Sequence, residues 1–114
     1  MHRARIADKA AKLRLDEINR IKAKLNLAGL TLLAIDREYG LPRGTAGNTL
    51  QQANLAGERA IAAALKTRPH LLWRSRYHPS GERRAPQPAE NYRRPPSMLD
   101  RRQKHETDGS MEAA

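Results

Sequence analysis

The chain has 114 residues with 22 Lys and Arg against 12 Asp and Glu, a formal net charge of +10, one Trp, no Phe and no Cys. That length holds one domain with a modest core and a tail, and the missing cysteines exclude disulfides and thiolate metal sites. The positive balance favours polyanions, nucleic acid first and an anionic membrane surface second. No apolar run approaches the ~20 residues of a membrane span, and the start MHRARIADKAAKLRL lacks a secretory apolar region, so a soluble, cytoplasmic chain is expected.

The charge is uneven. Residues 1–79 carry fifteen basic and six acidic side chains, net +9, whereas residues 80–114 carry seven and six. Residues 1–14 form a basic arm, with Arg3, Arg5, Lys9, Lys12 and Arg14 opposed only by Asp8. Ile6, Ala10 and Leu13 recur at helical spacing, so the arm reads equally as a helical extension or a disordered segment. From Asp16 a firmer helix follows. Asp16 and Glu17 suit its positive end, and Ile18, Ile21 and Leu25 make an i, i+3, i+7 stripe that stops at 26–29.

Thr31 is an expected N-cap for a helix over 32–39 that buries Leu32, Ile35 and Tyr39. Gly40 and Leu41 make a turn, and a third helix runs from Pro42 or Arg43 to Gln51, anchored by Ala46 and Leu50. It contains Gly44 and Gly47, each expected to cost about 1 kcal/mol in a helix interior. Residues 54–57 read as loop and 58–66 as a helix with Ile61, Ala64 and Leu65 inward. Pro69 opens a short helix that brings Leu71, Leu72 and Trp73 to the core. An isolated Trp after an aliphatic pair is read as core rather than as a stacking platform. Beyond Pro79 the composition turns to Pro, Gly and mixed charge with almost no aliphatics, which reads as a disordered tail over 80–114. The fold class is therefore all-α, a compact bundle of about five helices with a folded unit over 15–79.

Two short helices across a Gly-containing turn, DREYGLPRGTAGNTL, followed by a helix with polar tips, have the layout of a helix-turn-helix. In that arrangement the second helix lies in the major groove of duplex DNA and its outward side chains reach base edges. By register these are Arg43, Thr45, Asn48 and Gln51. Arg43 suits guanine, and Asn48 or Gln51 suits adenine. The plainer readings are a solvated polar residue for Asn48 and a phosphate contact for Arg43. Phosphate contacts are expected from Thr31, Arg37, Lys22, Lys24 and Arg76. The two glycines either let the backbone approach the duplex closely or simply weaken the helix.

No HExxH pattern, Cys/His spacing, Gly-rich phosphate loop or plausible Ser triad is present, so neither an enzyme nor a metal or other cofactor is expected, nor a small-molecule substrate. Two other readings fit the same residues. One is a protein-interaction module that uses the exposed reading surface. The other is a nonspecific, charge-driven nucleic-acid or membrane-surface binder that depends on the first fourteen residues.

Residues 15–77 resemble the Ner family, small lambda-repressor-like transcriptional regulators of Mu-type transposable phages, together with their bacterial Nlp relatives. Around the turn the resemblance is carried by Leu30, Leu32, Ala34, Arg37, Tyr39, Gly40, Leu41, Thr45, Asn48 and Leu50. Downstream it rests on Gly57, Glu58, Ile61, Ala62, Ala64, Leu65, Thr67 and Pro69, closing with Trp73, Ser75, Arg76 and Tyr77. The chain departs from the family pattern at Asp16 and Glu17 (usually Trp-His), at 54–56 (often Trp-Pro-Lys), at Arg74 and in the small residues of the reading helix. The resemblance implies sequence-specific binding of double-stranded DNA and regulation of transcription, with repression expected, by a protein of phage or prophage origin at the host nucleoid. Two copies on adjacent half-sites are a possible arrangement, and association on DNA is favoured over a stable dimer because no long heptad seam is present.

Overall fold

With no Phe and a single Trp, the interior has to be filled by Leu, Ile and Ala from several short helices. The computed structural model describes residues 2–93, with side chains from Lys9 onward. Five α-helices follow in order: α1 His2–Leu27, α2 Leu32–Glu38, α3 Thr45–Gln51, α4 Leu55–Ala64 and α5 Pro69–Leu72. A 3-10 turn, Ala89–Tyr92, comes last. No helix among the described residues is long and apolar enough to cross a membrane.

The core gathers around Ile21, Ile35, Ala46, Ile61 and Trp73, each no more than 1% exposed. The stripe expected on α1 is buried at Ile18, Ile21 and Leu25. The helix runs unbroken from His2, so the basic arm is its first three turns rather than a separate coil. The side chains of Arg3, Arg5 and Ile6 lie outside those described. In α2, Thr31 caps as expected, its hydroxyl oxygen accepting from Ala34 N at 3.1 Å. The helix closes where Gly40 takes φ +66° and Leu41 N donates to Asp36 O at 2.8 Å.

Several expectations about the helices need correction. Tyr39 is not core: it is the C-cap of α2 and points outward. The third helix begins at Thr45, because Gly44 stands in the left-handed region at φ +95° and breaks the path from Pro42. Gly44 therefore precedes the helix instead of weakening its interior. The fourth helix starts three residues earlier than expected. Asn54 accepts from Gly57 N at 3.0 Å, while the Glu58 carboxylate reaches back to Asn54 N at 2.8 Å, a reciprocal cap that turns the expected loop into the first helical turn. Leu71 faces solvent, leaving Leu72 and Trp73 to the core.

α3 and α4 pack closely because residue 57 has no side chain. A Cβ there would lie 1.8 Å from Thr49 Oγ1, far inside contact distance.

The largest correction is at the C-terminal side. Residues 80–93, expected to be disordered, fold back onto the domain. Tyr77 and Arg83 form an antiparallel bridge, Arg84 N donates to Arg76 O at 3.0 Å, and Ala53 N donates to Asn91 O at 2.7 Å. Gln87 and Asn91 are buried. Gln87 Nε2 donates to Arg76 O at 2.8 Å, and Asn91 Nδ2 donates to Ser75 O at 3.0 Å. The tail expected from 80 can thus begin only beyond this strap, and residues 94–114 lie outside the described part.

Glu58 is the hub of these contacts. Its carboxylate is wholly buried and accepts from Tyr77 Oη at 2.8 Å, from Arg83 Nε at 3.1 Å and from Arg76 Nη1 at 3.3 Å. Burial pushes its pKa up. The hydrogen bonds from Arg83 and Tyr77, the Arg76 charge and Asn54 N–H together outweigh that push and hold the carboxyl below the ordinary glutamate range. Burial and the bond to Glu58 push the Tyr77 phenol up to about 12. Glu17 goes the other way: burial raises its carboxyl despite two bonds from Ser75.

A depressed folded-state pKa means that the Glu58 contribution is complete above the unfolded value of about 4.3 and is lost as pH falls through the folded value. Glu17, with a raised value, has the opposite sign and is relieved by acid. Glu58→Gln should cost about 3 kcal/mol at neutral pH by stranding buried Arg76, and should flatten the acid limb of the stability profile. Denaturant titrations from neutral pH to about pH 3, followed by circular dichroism, check both effects. An unchanged acid limb would mean that another carboxylate drives it.

Candidate nucleic-acid interface

A seven-residue helix is too short to be stable alone, so the placement of α3 depends on what grips its ends. Its N-cap residue, Gly44, has no side chain to offer. Asp36 supplies the cap from α2: Oδ2 accepts from Gly44 N and Oδ1 from Ala46 N, both at 2.8 Å, with the side chain 2% exposed. One carboxylate therefore fixes the angle between the two helices of the helix-turn-helix. At the other end Arg76 Nη2 donates to Leu50 O at 3.3 Å and Arg14 Nη2 to Gln51 O at 3.1 Å. Arg14 also bonds Arg93 O, so α1 and the strap share the same grip.

With Ala46, Thr49 and Leu50 buried, the opposite side of α3 is fixed by helical geometry. Asn48 is exposed, Gly47 half-buried, and Gly44 and Gln52 continue the Asn48 stripe one turn away on either side. Neither Asn48 nor Arg43 has a side-chain hydrogen bond among the described residues, so both are free to meet an external partner. A Cβ at Gly47 would meet nothing, which leaves that part of the helix open to close approach. Thr45 is half-buried and its hydroxyl donates to Pro42 O at 2.7 Å, which bridges the turn. Gln51 is half-buried, while Gln52, passed over in the sequence because it follows the helix, is exposed.

The expected phosphate contacts separate into groups. Thr31 and Arg37 are exposed at the two ends of α2, and Lys22 is exposed on α1. Lys24 lies about 200° around the helix from Lys22 and lines a groove with Leu71 and Arg74, so the structure does not bring it to the reading helix. Arg76 is not a phosphate contact. It is 3% exposed, paired with Glu58, and its guanidinium carbon sits 5.1 Å from the centre of the Trp73 ring. Burial lowers its pKa, with Glu58 opposing.

Asp36 and Arg14 were not singled out in the sequence. Each looks like one more charged residue on a solvated helix face. The available hint was a cap position occupied by a glycine, which requires a donor of caps from elsewhere. Among the described residues no three His, Asp or Glu side chains gather as a metal set.

Comparison with known proteins gives a consistent picture. The family described as winged helix-turn-helix DNA-binding matches residues 17–88, a span that includes much of the strap. Among the described residues the only β-pairing that corresponds to a wing is the single bridge between Tyr77 and Arg83. A negative regulator of transcription of Escherichia phage Mu is 40% identical over 55 residues, covering 48% of this chain and 73% of that protein. Sugar fermentation stimulation protein B of Escherichia coli strain K12 is 41% identical over 58 residues, 51% of this chain and 63% of that protein, and the Shigella flexneri protein of the same name matches equally. The chain thus spans less than two thirds of the latter relatives. No solved structure gives a significant match.

Removing the Asp36 carboxylate strands two amides at the start of α3. Asp36→Ala should lower stability by about 2 to 3 kcal/mol, and Asp36→Asn, which keeps one acceptor, by less. Thermal denaturation checks the order of the three proteins. Equal stability of all three would show that the carboxylate does not hold α3.

Proposed function

Because this chain belongs to the winged helix-turn-helix DNA-binding family, we propose that it is a sequence-specific repressor that lays α3 in the major groove of duplex DNA and reads bases with Asn48 and Arg43. The observation that carries this reading is the orientation of α3. Its buried side is fully used by Ala46, Thr49 and Leu50, while Asn48 and Arg43 stand outward with no partner among the described residues. Asn48 suits adenine and Arg43 guanine, each through two parallel hydrogen bonds. Thr45 and either Gln51 or Gln52 flank them.

Thr31, Arg37 and Lys22 anchor the backbone and set orientation without reading sequence. Gly44 and Gly47 allow the α3 backbone to sit closer to the groove wall than side chains would permit. Repression follows from occupancy, since a protein held across a promoter excludes the polymerase, and the phage Mu relative is a negative regulator of transcription. Two copies on adjacent half-sites would lengthen the covered segment, and the site of action would be the host nucleoid. No catalytic step enters the scheme.

Selection from randomised duplexes by the full chain at near-physiological salt should enrich a short motif. On that motif Asn48→Ala should lose about 1 to 3 kcal/mol of discrimination at one base pair and leave binding to random DNA nearly unchanged. Arg37→Ala should instead weaken all sequences alike and reduce the salt slope by about one. Equal weakening of all sequences by Asn48→Ala would remove it from the base-reading set, and a pool that emerges unenriched would defeat specific recognition altogether.

A further inference from the structure

A groove of about 570 Å3 runs between α1 and α5, lined on its two sides by Leu13 and Leu71. These leucines are 62% and 59% exposed, among the most exposed large apolar side chains of the described chain. Arg20, Lys24, Arg74 and Arg84 also line the groove, and none has an ion-pair partner among the described residues. Arg84 Nε is buried with no hydrogen-bond acceptor among the described residues. Among the described residues the single acid lining the groove is Glu17, which accepts from Ser75 Oγ at 2.7 Å and from Ser75 N at 3.3 Å. The result is an apolar channel flanked by four cations against one carboxylate, a local excess of positive charge.

Leu13, Arg20 and Lys24 lie on one stripe of α1 at i, i+7 and i+11, which gives the channel the length of about three helical turns. Three kinds of occupant fit a positive groove, and the chemistry separates them. Duplex DNA would meet the cations but leave both leucines in contact with phosphate or water. A second copy of this chain would bring another net +10 against the same rim. An acidic amphipathic helix satisfies both features, with apolar side chains between the leucines and carboxylates on the guanidinium and ammonium groups. The geometry points to this groove as the docking site for an acidic amphipathic helix of a partner protein. No residue of α2 or α3 lines it, so the partner and DNA can be held together.

The probe is a synthetic helix with leucines at i, i+3 and i+7 and glutamates elsewhere, titrated into the isotopically labelled full chain while amide shifts are followed. Shifts should centre on Leu13, Arg20, Leu71 and Arg74 and persist when random duplex DNA is present. A peptide of the same composition in scrambled order, which cannot form an apolar stripe, should bind about tenfold more weakly. Leu71→Ser and Leu13→Ser, both at exposed positions where folding is not at stake, should each weaken the striped peptide by a similar factor without altering DNA affinity. Equal binding of the two peptides would mean that charge alone attracts them and would overturn the proposal. So would shifts centred on α3, displacement of the peptide by duplex DNA, or no binding of the striped peptide.

Discussion

A carboxylate with no access to water lies at the junction of three parts of the chain, and the fold depends on its being satisfied. Glu58 caps the first turn of α4, accepts from Tyr77 just beyond α5, and pairs with Arg76 and with Arg83 of the strap. A buried charge of this kind is unfavourable until enough donors converge on it, and here donors separated by up to 25 positions do so. Satisfying Glu58 therefore requires the strap to return and α5 to be in place. An apolar core of this size, lacking Phe, would leave the strap little to gain by ordering. The polar network gives residues 80–93 a reason to fold.

The same network reaches the reading helix through Arg76, whose second nitrogen holds Leu50 O. Together with Asp36 at the start and Arg14 at the end, this gives α3 a partner at each terminus. Helices of seven residues gain little from their own hydrogen bonds, since nucleation outweighs propagation at that length. What keeps α3 helical is external: two amides capped by a neighbouring carboxylate, two carbonyls capped by arginines, and one apolar side against α2 and α4. The outward side is released from structural duty as a result, and Asn48 is available because so little else on α3 is.

The elements legible in the sequence were those governed by local rules. The Ile18, Ile21, Leu25 stripe, the Thr31 cap, the Gly40 turn, and the Ala46 and Leu50 anchors all rest on periodicity or on a residue within four positions, and all stand in the structure. The failures share a different cause. Arg76 resembled a surface cation, and Gln87 and Asn91 sat in a Pro-rich polar stretch, because hydropathy registers a side chain's own solvation and not the partner that replaces water. Gly44 was misjudged for a related reason. Its cap comes from Asp36 eight residues earlier, across a turn that no spacing rule covers. The exposure of Asn48 was readable, whereas the half-burial of Thr45 and Gln51 and the occupied state of the arginines were not.

That difference changes what the net charge of +10 means. Arg76 and Arg83 share one carboxylate, and Arg14 is turned toward two backbone carbonyls. Glu58 offsets one of the two charges on Arg76 and Arg83, whereas Arg14 keeps its charge but is held in place by neutral carbonyls. Among the cations with no ion-pair partner in the described residues, Arg37 and Arg43 belong to the helix-turn-helix, and Arg20, Lys24, Arg74 and Arg84 line the α1–α5 groove. Only those that come within a Debye length of the duplex, about 8 Å at physiological ionic strength, contribute strongly to its capture. The cations of the groove stand beside exposed leucines, a pairing that a phosphate backbone does not exploit. Because no residue of α2 or α3 lines the groove, a chain that met DNA through its helix-turn-helix would leave these cations and leucines available to a partner, and could hold both at once.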